Sequence, residues 1–444
     1  MKSLTLQPIK HPLSALVKIP GSKSYTQRSL IITSLARGRS IIINPCICDD
    51  TTFLIDALKV LGVSITQVKD RNHSQIIVHG SGGSFVPSPS TTKLFVGDSG
   101  TALRFLTALS SLVSGTIIIA GNPRLCQRPI QELVDVLSHL GINIESSVGS
   151  SPIIIKGGHL HGGVCSLSGE ISSQYLSALL MVLPYAEQPS RILLNKEPVS
   201  LPYINMTLKA MQSFGSTVVQ THLKKYSEFF VRPGVYDACH YVVEPDATSA
   251  SYFFGAAAVC GGTVTIPLNP HTLQGDIQFV DLLQQMGCTV KKLTGSSLGV
   301  VAEITVTGNP DNFCGITIDM RSMPDIVPTL AVVAACARGT TTLTNIGHLR
   351  YKESDRCDAL YRELSRLGVG VTLTQDSLSI EGSPSILEKN FLNVDVETYD
   401  DHRIAMSFAM LGLCTGITLK NPDCVNKSFP LFWDTLYKLY ESVA

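Results

Sequence analysis

Residues 246–268, DATSASYFFGAAAVCGGTVTIPL, place a helix cap, an apolar helix, a glycine break and a β-branched strand in one short run. Asp246 is of a residue type that caps helix N-termini. The residues after it are apolar on nearly every face, which predicts a buried helix rather than a surface one. Two glycines interrupt the helix, and Thr, Val and Ile then favour a strand. The same order recurs along the chain, so this segment decides the fold.

Six segments share this order, and their starts are spaced by 73 to 78 residues. They begin near Ser22, Ser99, Ser172, Asp246, Pro324 and Asp400. A second, amphipathic helix and a pair of strands follow in each repeat, except that the sixth stops at its second helix. In five repeats the second helix ends at a glycine suited to a left-handed C-cap, namely Gly62, Gly141, Gly215, Gly287 and Gly368. The sequence therefore predicts an α/β protein built from six βαβαββ-type modules.

The two ends of the chain complement each other. The sixth module stops at the helix FPLFWDTLYKLYESVA, 429–444, while the segments SLTLQPI, 3–9, and ALVKIP, 15–20, are strands with no helix before them. We infer that the N-terminus completes the sixth module. Residues 1–20 plus 244–444 are then one discontinuous domain of modules four to six, and residues 21–243 are an inserted domain of modules one to three. A solenoid is the alternative for a repeat protein, but buried helices favour closed globules.

Composition excludes several classes of protein. Lys+Arg and Asp+Glu are both 35, so the net charge is zero, whereas proteins that coat nucleic acid are usually basic. No uninterrupted apolar run approaches the roughly 20 residues of a membrane span. The twelve cysteines include no CxxC pair, which predicts buried, reduced thiols in a cytoplasmic protein. The N-terminus has no apolar signal core. We expect a monomer without nucleic-acid or membrane partners.

Polar residues concentrate where the predicted helices begin. A helix N-terminus presents free N–H groups and a partial positive charge, which favours phosphate and carboxylate. The first helices of modules one to three supply Lys23, Ser24, Arg28, Gly100, Arg104, Ser172, Ser173 and Gln174. The turns at other helix starts supply Arg128, Ser200, Tyr203, Arg350, Lys352, Glu353, Asp355, Arg356, His402, Arg403 and Lys427. Any one of them alone is more often a cap or a solvated charge. Their recurrence at one location predicts local anion sites.

Motifs for other chemistries are missing from the sequence. It contains no GxxxxGK[ST], GxGxxG, HExxH or GxSxG. His159 and His161 in GGHLHGG could suggest a metal site, but the flanking glycines favour a hairpin turn. The residues alone thus predict a two-domain α/β protein that binds small polyanions between its domains, without a metal or a nucleotide.

Nine stretches in order along the chain resemble the signature sequences of the 5-enolpyruvylshikimate-3-phosphate synthase family. They are PGSKSYTQR, GDSGTALR, RPI, SSQYLSALL, DATSASYFF, MPDIVPTLA, YKESDR, TYDDHRIAM and DCVNKSFP. The resemblance implies an inside-out α/β prism of two three-module domains that close over the substrates. It also implies transfer of the enolpyruvyl group of phosphoenolpyruvate to the 5-hydroxyl of shikimate 3-phosphate, without a cofactor.

The resemblance also implies roles for individual residues. Shikimate 3-phosphate would be bound by Lys23, Ser24, Arg28, Ser172, Ser173, Gln174, Ser200, Tyr203, Asp325, His348 and Lys352. Phosphoenolpyruvate would be bound by Lys23, Gly100, Arg128, Gln174, Arg356, Arg403 and Lys427. The catalytic groups would be Asp325, Glu353, Lys23 and Lys352, with acid and base unassigned among Lys23, Asp325 and Glu353. Gly100 leaves room beside the phosphoenolpyruvate, and glyphosate is expected to compete with that substrate.

Three residues depart from the usual family pattern. Asp98 and His348 stand where Asn is usual, and Phe105 replaces a smaller residue or Pro. These changes bear on affinity and pH optimum more than on reaction type. One alternative is UDP-N-acetylglucosamine enolpyruvyltransferase, in which Cys126 would lie in the region of a reactive loop cysteine. The other is a non-catalytic anion-binding homologue.

Overall fold

The described residues of the protein, in a computed structural model, are 2–69, 74–85, 91–147, 149–223, 226–295 and 301–441. They form two compact units, each with its own hydrophobic core. The continuous unit is Gly21–Val243, and the discontinuous unit joins Met1–Pro20 to Glu244–Ala444. Among the described residues, no helix has the length and apolarity to cross a membrane.

Helices and strands alternate through both units. The α-helices are α1 Lys23–Leu35, α2 Asp49–Val60, α3 Gly100–Leu109, α4 Gln131–His139, α5 Ser173–Val182, α6 Leu201–Ser213, α7 Ala247–Cys260, α8 Phe279–Gln285, α9 Val327–Ala335, α10 Arg356–Arg366, α11 His402–Thr415 and α12 Phe432–Glu441. The strands are β1 Ser3–Leu6, β2 Leu13–Leu16, β3 Arg37–Ile43, β4 Ser64–Lys69, β5 Ser74–Ser81, β6 Thr91–Phe95, β7 Gly115–Ala120, β8 Asn143–Ser147, β9 Ser150–Gly157, β10 Gly163–Leu167, β11 Ser190–Leu194, β12 Val218–Leu223, β13 Tyr226–Val231, β14 His240–Val242, β15 Gly262–Ile266, β16 Thr289–Leu293, β17 Glu303–Gly308, β18 Thr317–Asp319, β19 Gly339–Thr344, β20 Gly370–Leu373, β21 Ser377–Gly382, β22 Asp395–Val396 and β23 Ile417–Lys420.

Each module supplies most of the strands of one small sheet. In the second module the strand order is β6-β7-β9-β8, with β6 parallel to β7 and the other pairs antiparallel. The sheets β14-β3-β5-β4 and β10-β11-β13-β12 complete the continuous unit. The discontinuous unit has β2-β15-β17-β16, β18-β19-β21-β20 and the three-stranded β1-β23-β22. The predicted strand pairs β4/β5 and β8/β9 are among those formed.

The first helix of each module is buried, as its apolar sequence predicts. Every residue of α7 except Cys260 is buried, and so is every residue of α9. Helices α7, α9 and α11 pack on one another inside the discontinuous unit. Helices α1, α3 and α5 are similarly buried in the continuous unit. Each unit therefore has helices at its centre.

The second helices end as predicted. The five glycines that follow them have φ between 78° and 118°, a range that L side chains rarely adopt. A glycine at this position lets the chain reverse at once into the strand pair, so the module length is set locally.

The N-terminal segments enter two sheets, so the prediction that both complete the sixth module is half wrong. Strand β1 pairs with β23 in the sixth module, but β2 lies parallel to β15 in the fourth. In every sheet, one inner strand has a parallel neighbour at the edge of the sheet. Strand β14 precedes α7 along the chain, but it is the parallel neighbour of β3 in the first module and not of β15 in the fourth. The edge of β15 is therefore open to β2.

One pair of cysteines contradicts the expectation that all thiols are reduced. Cys260 and Cys414 form a disulfide with a Cα–Cα distance of 5.7 Å. They lie at the C-terminal ends of α7 and α11, which pack side by side, and this packing brings together two residues 154 positions apart. The other ten cysteines do not take part in a disulfide.

Candidate active site

Serine residues precede the first helices of the continuous unit. Ser99 Oγ accepts a hydrogen bond from the Ala102 backbone N–H at 3.3 Å, and Ser172 Oγ accepts one from Gln174 N–H at 3.2 Å. Ser173 is the buried first residue of α5. Such side-chain caps satisfy one orphan donor and leave neighbouring N–H groups at the helix start for an anion.

Lys23, the first residue of α1, forms an ion pair that the sequence did not indicate. Its Nζ lies 2.7 Å from Asp50 Oδ2, and both side chains are largely buried. Two acidic residues open α2, which by itself is ordinary compensation of the helix dipole. Sequence reasoning therefore had no reason to assign Asp50 to the site.

Arg28 is a buried cation held by neutral groups. Its guanidinium donates to Thr207 Oγ1 at 2.8 Å, Ser24 O at 3.0 Å, Tyr203 O at 3.1 Å and Ser177 Oγ at 3.3 Å. No described carboxylate forms an ion pair with it. Burial lowers the pKa of Arg28 to about 10. A buried charge without a counterion favours binding of an anion.

Two aromatic rings flank the same guanidinium. The Phe105 centroid lies 5.4 Å from Arg28 Cζ, and the Tyr203 centroid lies 5.8 Å from it. Phe105 is fully buried, so this departure from the family pattern supplies a cation–π surface under the arginine. Ser200, the residue before α6, has φ 57° and ψ 42°, a left-handed conformation that costs a non-glycine residue free energy.

Gly100 opens α3 against two arginines. A Cβ built on it would meet Arg104 Nη1 at 2.5 Å and Arg128 Cζ at 2.6 Å. Arg104 donates to Gln174 Oε1 at 2.9 Å, and Gln174 Nε2 donates to Thr101 Oγ1 at 3.1 Å. The predicted Gly100, Arg128 and Gln174 thus come together. Arg104, a helix-start residue that had no assigned role, joins them.

Arg356 is the centre of the site in the discontinuous unit. Its Nε donates to Asp401 Oδ2 at 2.8 Å, its Nη2 to Glu353 Oε2 at 2.8 Å and its Nη1 to Asp325 Oδ1 at 3.3 Å. Ser354 Oγ donates to Asp401 at 3.0 Å. Arg356 is 1% exposed, and burial opposes its charge, but Asp401 and Glu353 raise its pKa overall. Asp401, the N-cap of α11, was missed because a cap alone explains an Asp there.

Asp325 is surrounded by cations. Arg403 Nη2 donates to Asp325 Oδ2 at 2.8 Å, and Lys352 Nζ lies 3.9 Å from Oδ1. Burial alone would raise the pKa of Asp325, but Arg403, Lys352 and Arg356 together hold it well below its usual range. The carboxyl is therefore ionised in the unliganded protein.

Glu353 joins the network from its other side. Lys427 Nζ lies 4.0 Å from Glu353 Oε1, and Lys427 is 8% exposed. The predicted residues of this unit thus form one cluster of two carboxylates and four cations, namely Asp325, Glu353, Lys352, Arg356, Arg403 and Lys427.

The other departures from the family pattern have structural explanations. Asp98 accepts a hydrogen bond from Asn122 Nδ2 at 2.7 Å, so its added charge is partnered. His348 Nε2 is buried with no hydrogen-bond partner among the described residues. Burial, and then Lys352, lowers the pKa of His348 to about 3. The ring is therefore neutral at physiological pH.

The histidines of GGHLHGG contact a carboxylate and not a metal-type cluster. His161 Nδ1 lies 2.8 Å from Glu187 Oε2, and His159 Nδ1 lies 3.5 Å from Oε1. Within the described ranges, no group of three or more His, Cys, Asp or Glu could hold a metal ion. The predicted hairpin turn is wrong, because this segment joins β9 to β10 and these strands lie in different sheets.

Comparisons with known proteins agree over the whole chain. A family model described as EPSP synthase (3-phosphoshikimate 1-carboxyvinyltransferase) matches residues 8–436. A 3-phosphoshikimate 1-carboxyvinyltransferase of Nostoc sp. is 40% identical over 446 residues, covering 99% of this chain and 100% of that protein. One from Methanoculleus marisnigri is 41% identical over 431 residues, covering 96% and 97%. A solved EPSP synthase from Acinetobacter baumannii has a TM-score of 0.79 at 26% identity, covering 99% and 98%. The expected inside-out α/β prism is confirmed.

Proposed function

The chain belongs to the EPSP synthase family, and from this premise we propose how its own residues perform the family reaction. It is an enzyme of the shikimate pathway that transfers the enolpyruvyl group of phosphoenolpyruvate to the 5-hydroxyl of shikimate 3-phosphate and releases phosphate. The observation that carries the residue roles is the partly buried cluster in which Asp325 and Glu353 share four cations.

Shikimate 3-phosphate is assigned to the helix starts of the continuous unit. Ser172, Ser173, Ser200 and Lys23 bind its phosphate, and Arg28 binds its carboxylate with Tyr203 against the ring. Ser24 and Gln174 contact the same substrate, and the discontinuous unit contributes Asp325, His348 and Lys352. The support for this assignment is that Arg28 is a buried cation without a carboxylate partner among the described residues. A substrate carboxylate compensates that charge.

Phosphoenolpyruvate is assigned to the arginines. In the continuous unit Arg128, Gln174, Lys23 and the α3 start at Gly100 bind it, and in the discontinuous unit Arg356, Arg403 and Lys427 do so. Guanidinium groups bind carboxylate and phosphate through two parallel hydrogen bonds. Each cation about 4 Å from an anion contributes roughly 4 kcal/mol at an effective dielectric of 20.

The reaction needs a base and an acid in each half. In the addition step the 5-hydroxyl oxygen bonds to C2 of phosphoenolpyruvate, loses its proton, and C3 gains a proton. In the elimination step C3 loses a proton, and the C2–O bond to the phosphate breaks. We assign the hydroxyl proton to Asp325, with Lys352 beside it, and the C3 proton to Glu353 or Lys23. Substrate anions compete for Arg403 and Arg356, which raises the basicity of Asp325 as the complex forms.

Phosphate release tests this function. The assay contains shikimate 3-phosphate, phosphoenolpyruvate and EDTA, and each substrate is omitted in turn. We expect release only when both are present, and we expect glyphosate to inhibit in competition with phosphoenolpyruvate. Release with UDP-N-acetylglucosamine in place of shikimate 3-phosphate would instead indicate the related transferase, and no release with either acceptor would indicate a binding protein.

We further propose that the enzyme is a cytoplasmic monomer. A net charge of zero and the lack of a membrane-crossing helix among the described residues are compatible with this. The disulfide between Cys260 and Cys414 is unusual for that compartment. Light scattering of the purified protein and fractionation of cells test the two parts of the proposal.

A further inference from the structure

Asp276 is a buried carboxyl group next to the candidate active site that has no role so far. It lies in a 3₁₀ turn, Gly275–Gln278, just before α8, and it is 3% exposed. Its Oδ2 accepts a hydrogen bond from Thr248 Oγ1 at the start of α7. Its Oδ1 is buried without a hydrogen-bond partner among the described residues.

The turn that carries Asp276 is fixed to the start of α7. Gln274 Nε2 donates to Pro245 O at 2.8 Å, and Gln274 Oε1 accepts from the Ala247 backbone N–H at 3.1 Å. The residue two positions before Asp276 is therefore tied to the cap region of α7, and Thr248 of α7 bonds to Asp276 itself. Its position is built into the module and not left to a loose loop.

Charged groups from three other elements face Asp276. They are Asp246 at the cap of α7, Asp325 in the turn before α9, and Arg403 at the start of α11. Arg403 is directed at Asp325, to which it donates from Nη2 at 2.8 Å. Asp276 has no ion pair with a described cation. Burial, and then the charge of Asp325, raise the pKa of Asp276 to about 7, although Arg403 and Thr248 oppose this.

We propose that Asp276 is a positioning residue for the transfer reaction: in its neutral form it leaves Arg403 directed at Asp325 and ready for phosphoenolpyruvate. A second negative charge at Asp276 would attract Arg403 away from Asp325 and from the substrate anion. The two carboxylates would also repel each other across the arginine. This inference rests on the proposed role of Arg403 in binding phosphoenolpyruvate.

The Michaelis constant for phosphoenolpyruvate should therefore respond to pH through Asp276. We compare the wild-type enzyme, Asp276→Asn and the control Asp281→Asn between pH 6 and 8.5, with shikimate 3-phosphate saturating. Asn is isosteric with the neutral acid. The control Asp281→Asn makes the same chemical change in a surface ion pair on α8. Because the substrate's own ionisation is common to all three enzymes, only the ratio of their Michaelis constants matters.

We expect the Michaelis constant of the wild type, divided by that of Asp276→Asn, to be near one at pH 6 and about ten at pH 8. The reason is that each pH unit above the pKa raises the ratio of ionised to neutral Asp276 tenfold. Turnover at pH 6 should be the same in all three enzymes. The Michaelis constant of the wild type, divided by that of Asp281→Asn, should stay near one at every pH. A ratio that is flat with pH, or a raised Michaelis constant of Asp276→Asn at pH 6, overturns the proposal.

A second measurement does not depend on turnover. In ¹³C spectra of Asp-labelled protein without substrates, one carboxyl signal present in the wild type and missing from Asp276→Asn should titrate near pH 7. A midpoint below pH 5 overturns the neutral form. Absence of transfer by the wild type at every pH, with this signal titrating as expected, would overturn the proposed function while Asp276 remained neutral.

Discussion

At the scale of single residues, the two carboxylates to which we assign catalytic roles lie in ion pairs. Asp325 contacts Arg403 and Arg356, and Glu353 contacts Arg356 and lies near Lys427. Because its cationic neighbours hold the pKa of Asp325 well below the usual range, Asp325 is a poor base in the free protein. In the mechanism that we propose, substrate anions that engage the same arginines make Asp325 a better base, so that binding and activation of the base are coupled.

Loss of charge at the carboxylates should affect turnover more than binding. We expect Asp325→Asn and Glu353→Gln to lower kcat by about 10²- to 10⁴-fold, the range for general acid–base groups, with substrate affinity changed far less. Steady-state kinetics and calorimetry measure the two effects. Asp395→Asn, which changes a surface partner of Lys420, is the control. Equal losses in turnover and affinity would contradict the catalytic roles.

A methyl group at Gly100 should weaken phosphoenolpyruvate binding. The added Cβ would displace the guanidinium groups of Arg104 and Arg128. We expect Gly100→Ala to raise the Michaelis constant for phosphoenolpyruvate about tenfold, or about 1.4 kcal/mol, with little change for shikimate 3-phosphate. Gly234→Ala is the matched control, since a Cβ there has nothing within 4 Å among the described residues. An unchanged constant would place phosphoenolpyruvate away from these arginines.

His348 should not shape the pH profile of activity but should affect acid stability. With a folded pKa of about 3, it is neutral between pH 6 and 9, so His348→Asn keeps the shape of the rate profile. Below pH 6.5 the unfolded chain binds a proton that the folded chain does not, so the wild type loses up to about 1.4 kcal/mol per pH unit. We expect His348→Asn to remove this loss between pH 6 and 4 in denaturant titrations. An acid limb of activity that disappears in the variant would contradict the assignment.

At the scale of secondary structure, local signals predicted the modules and the strand pairs within them, but not the sheet that β2 joins. The helix starts and the glycine ends were predictable because caps and left-handed turns depend on a few neighbouring residues. The place of β2 was not, because any open strand edge can accept a strand. The same limit applies to the site. Arg128 and Arg356 could be proposed from motifs, whereas Asp50, Asp276 and Asp401 have ordinary structural explanations until their partners are known.

The disulfide between α7 and α11 gives a prediction at this scale. Closing a loop of this length restricts the unfolded chain, so we expect reduction to lower the free energy of unfolding by about 3–5 kcal/mol. Denatured, unreduced protein should show ten reactive thiols out of twelve. Cys314→Ser, at an exposed free cysteine, should change neither stability nor the response to reductant. Twelve reactive thiols would show that the pair is reduced.

At the scale of the whole molecule, we propose that the two units are independent domains. Each has a separate hydrophobic core, and β1 and β2 both lie in the discontinuous unit. The sequence pointed to this division because the last module lacks strands that the N-terminus offers. It could not show that the two N-terminal strands enter different sheets.

Separate expression of the units tests the proposal. We expect residues 21–243 to unfold cooperatively by themselves, and residues 244–444 to fail to do so, because β15 and β23 each lose a neighbouring strand. Attaching residues 1–20 after residue 444 through a flexible linker should restore a cooperative transition, and a linked peptide of the same composition in scrambled order should not. A cooperative transition of residues 244–444 without that peptide would contradict it.

The pairing of β1 with β23 has a consequence for synthesis on the ribosome. Thr5 and Thr418, whose hydroxyls are 2.9 Å apart across this pair, are separated by 413 residues. At about 5–20 residues per second, the first strand waits roughly 20 to 80 s for its partner to be translated. The continuous unit can be finished during that interval. The nascent chain therefore carries Leu4 and Leu6 in an unpaired strand during that interval, which is where a cell's chaperones would be needed.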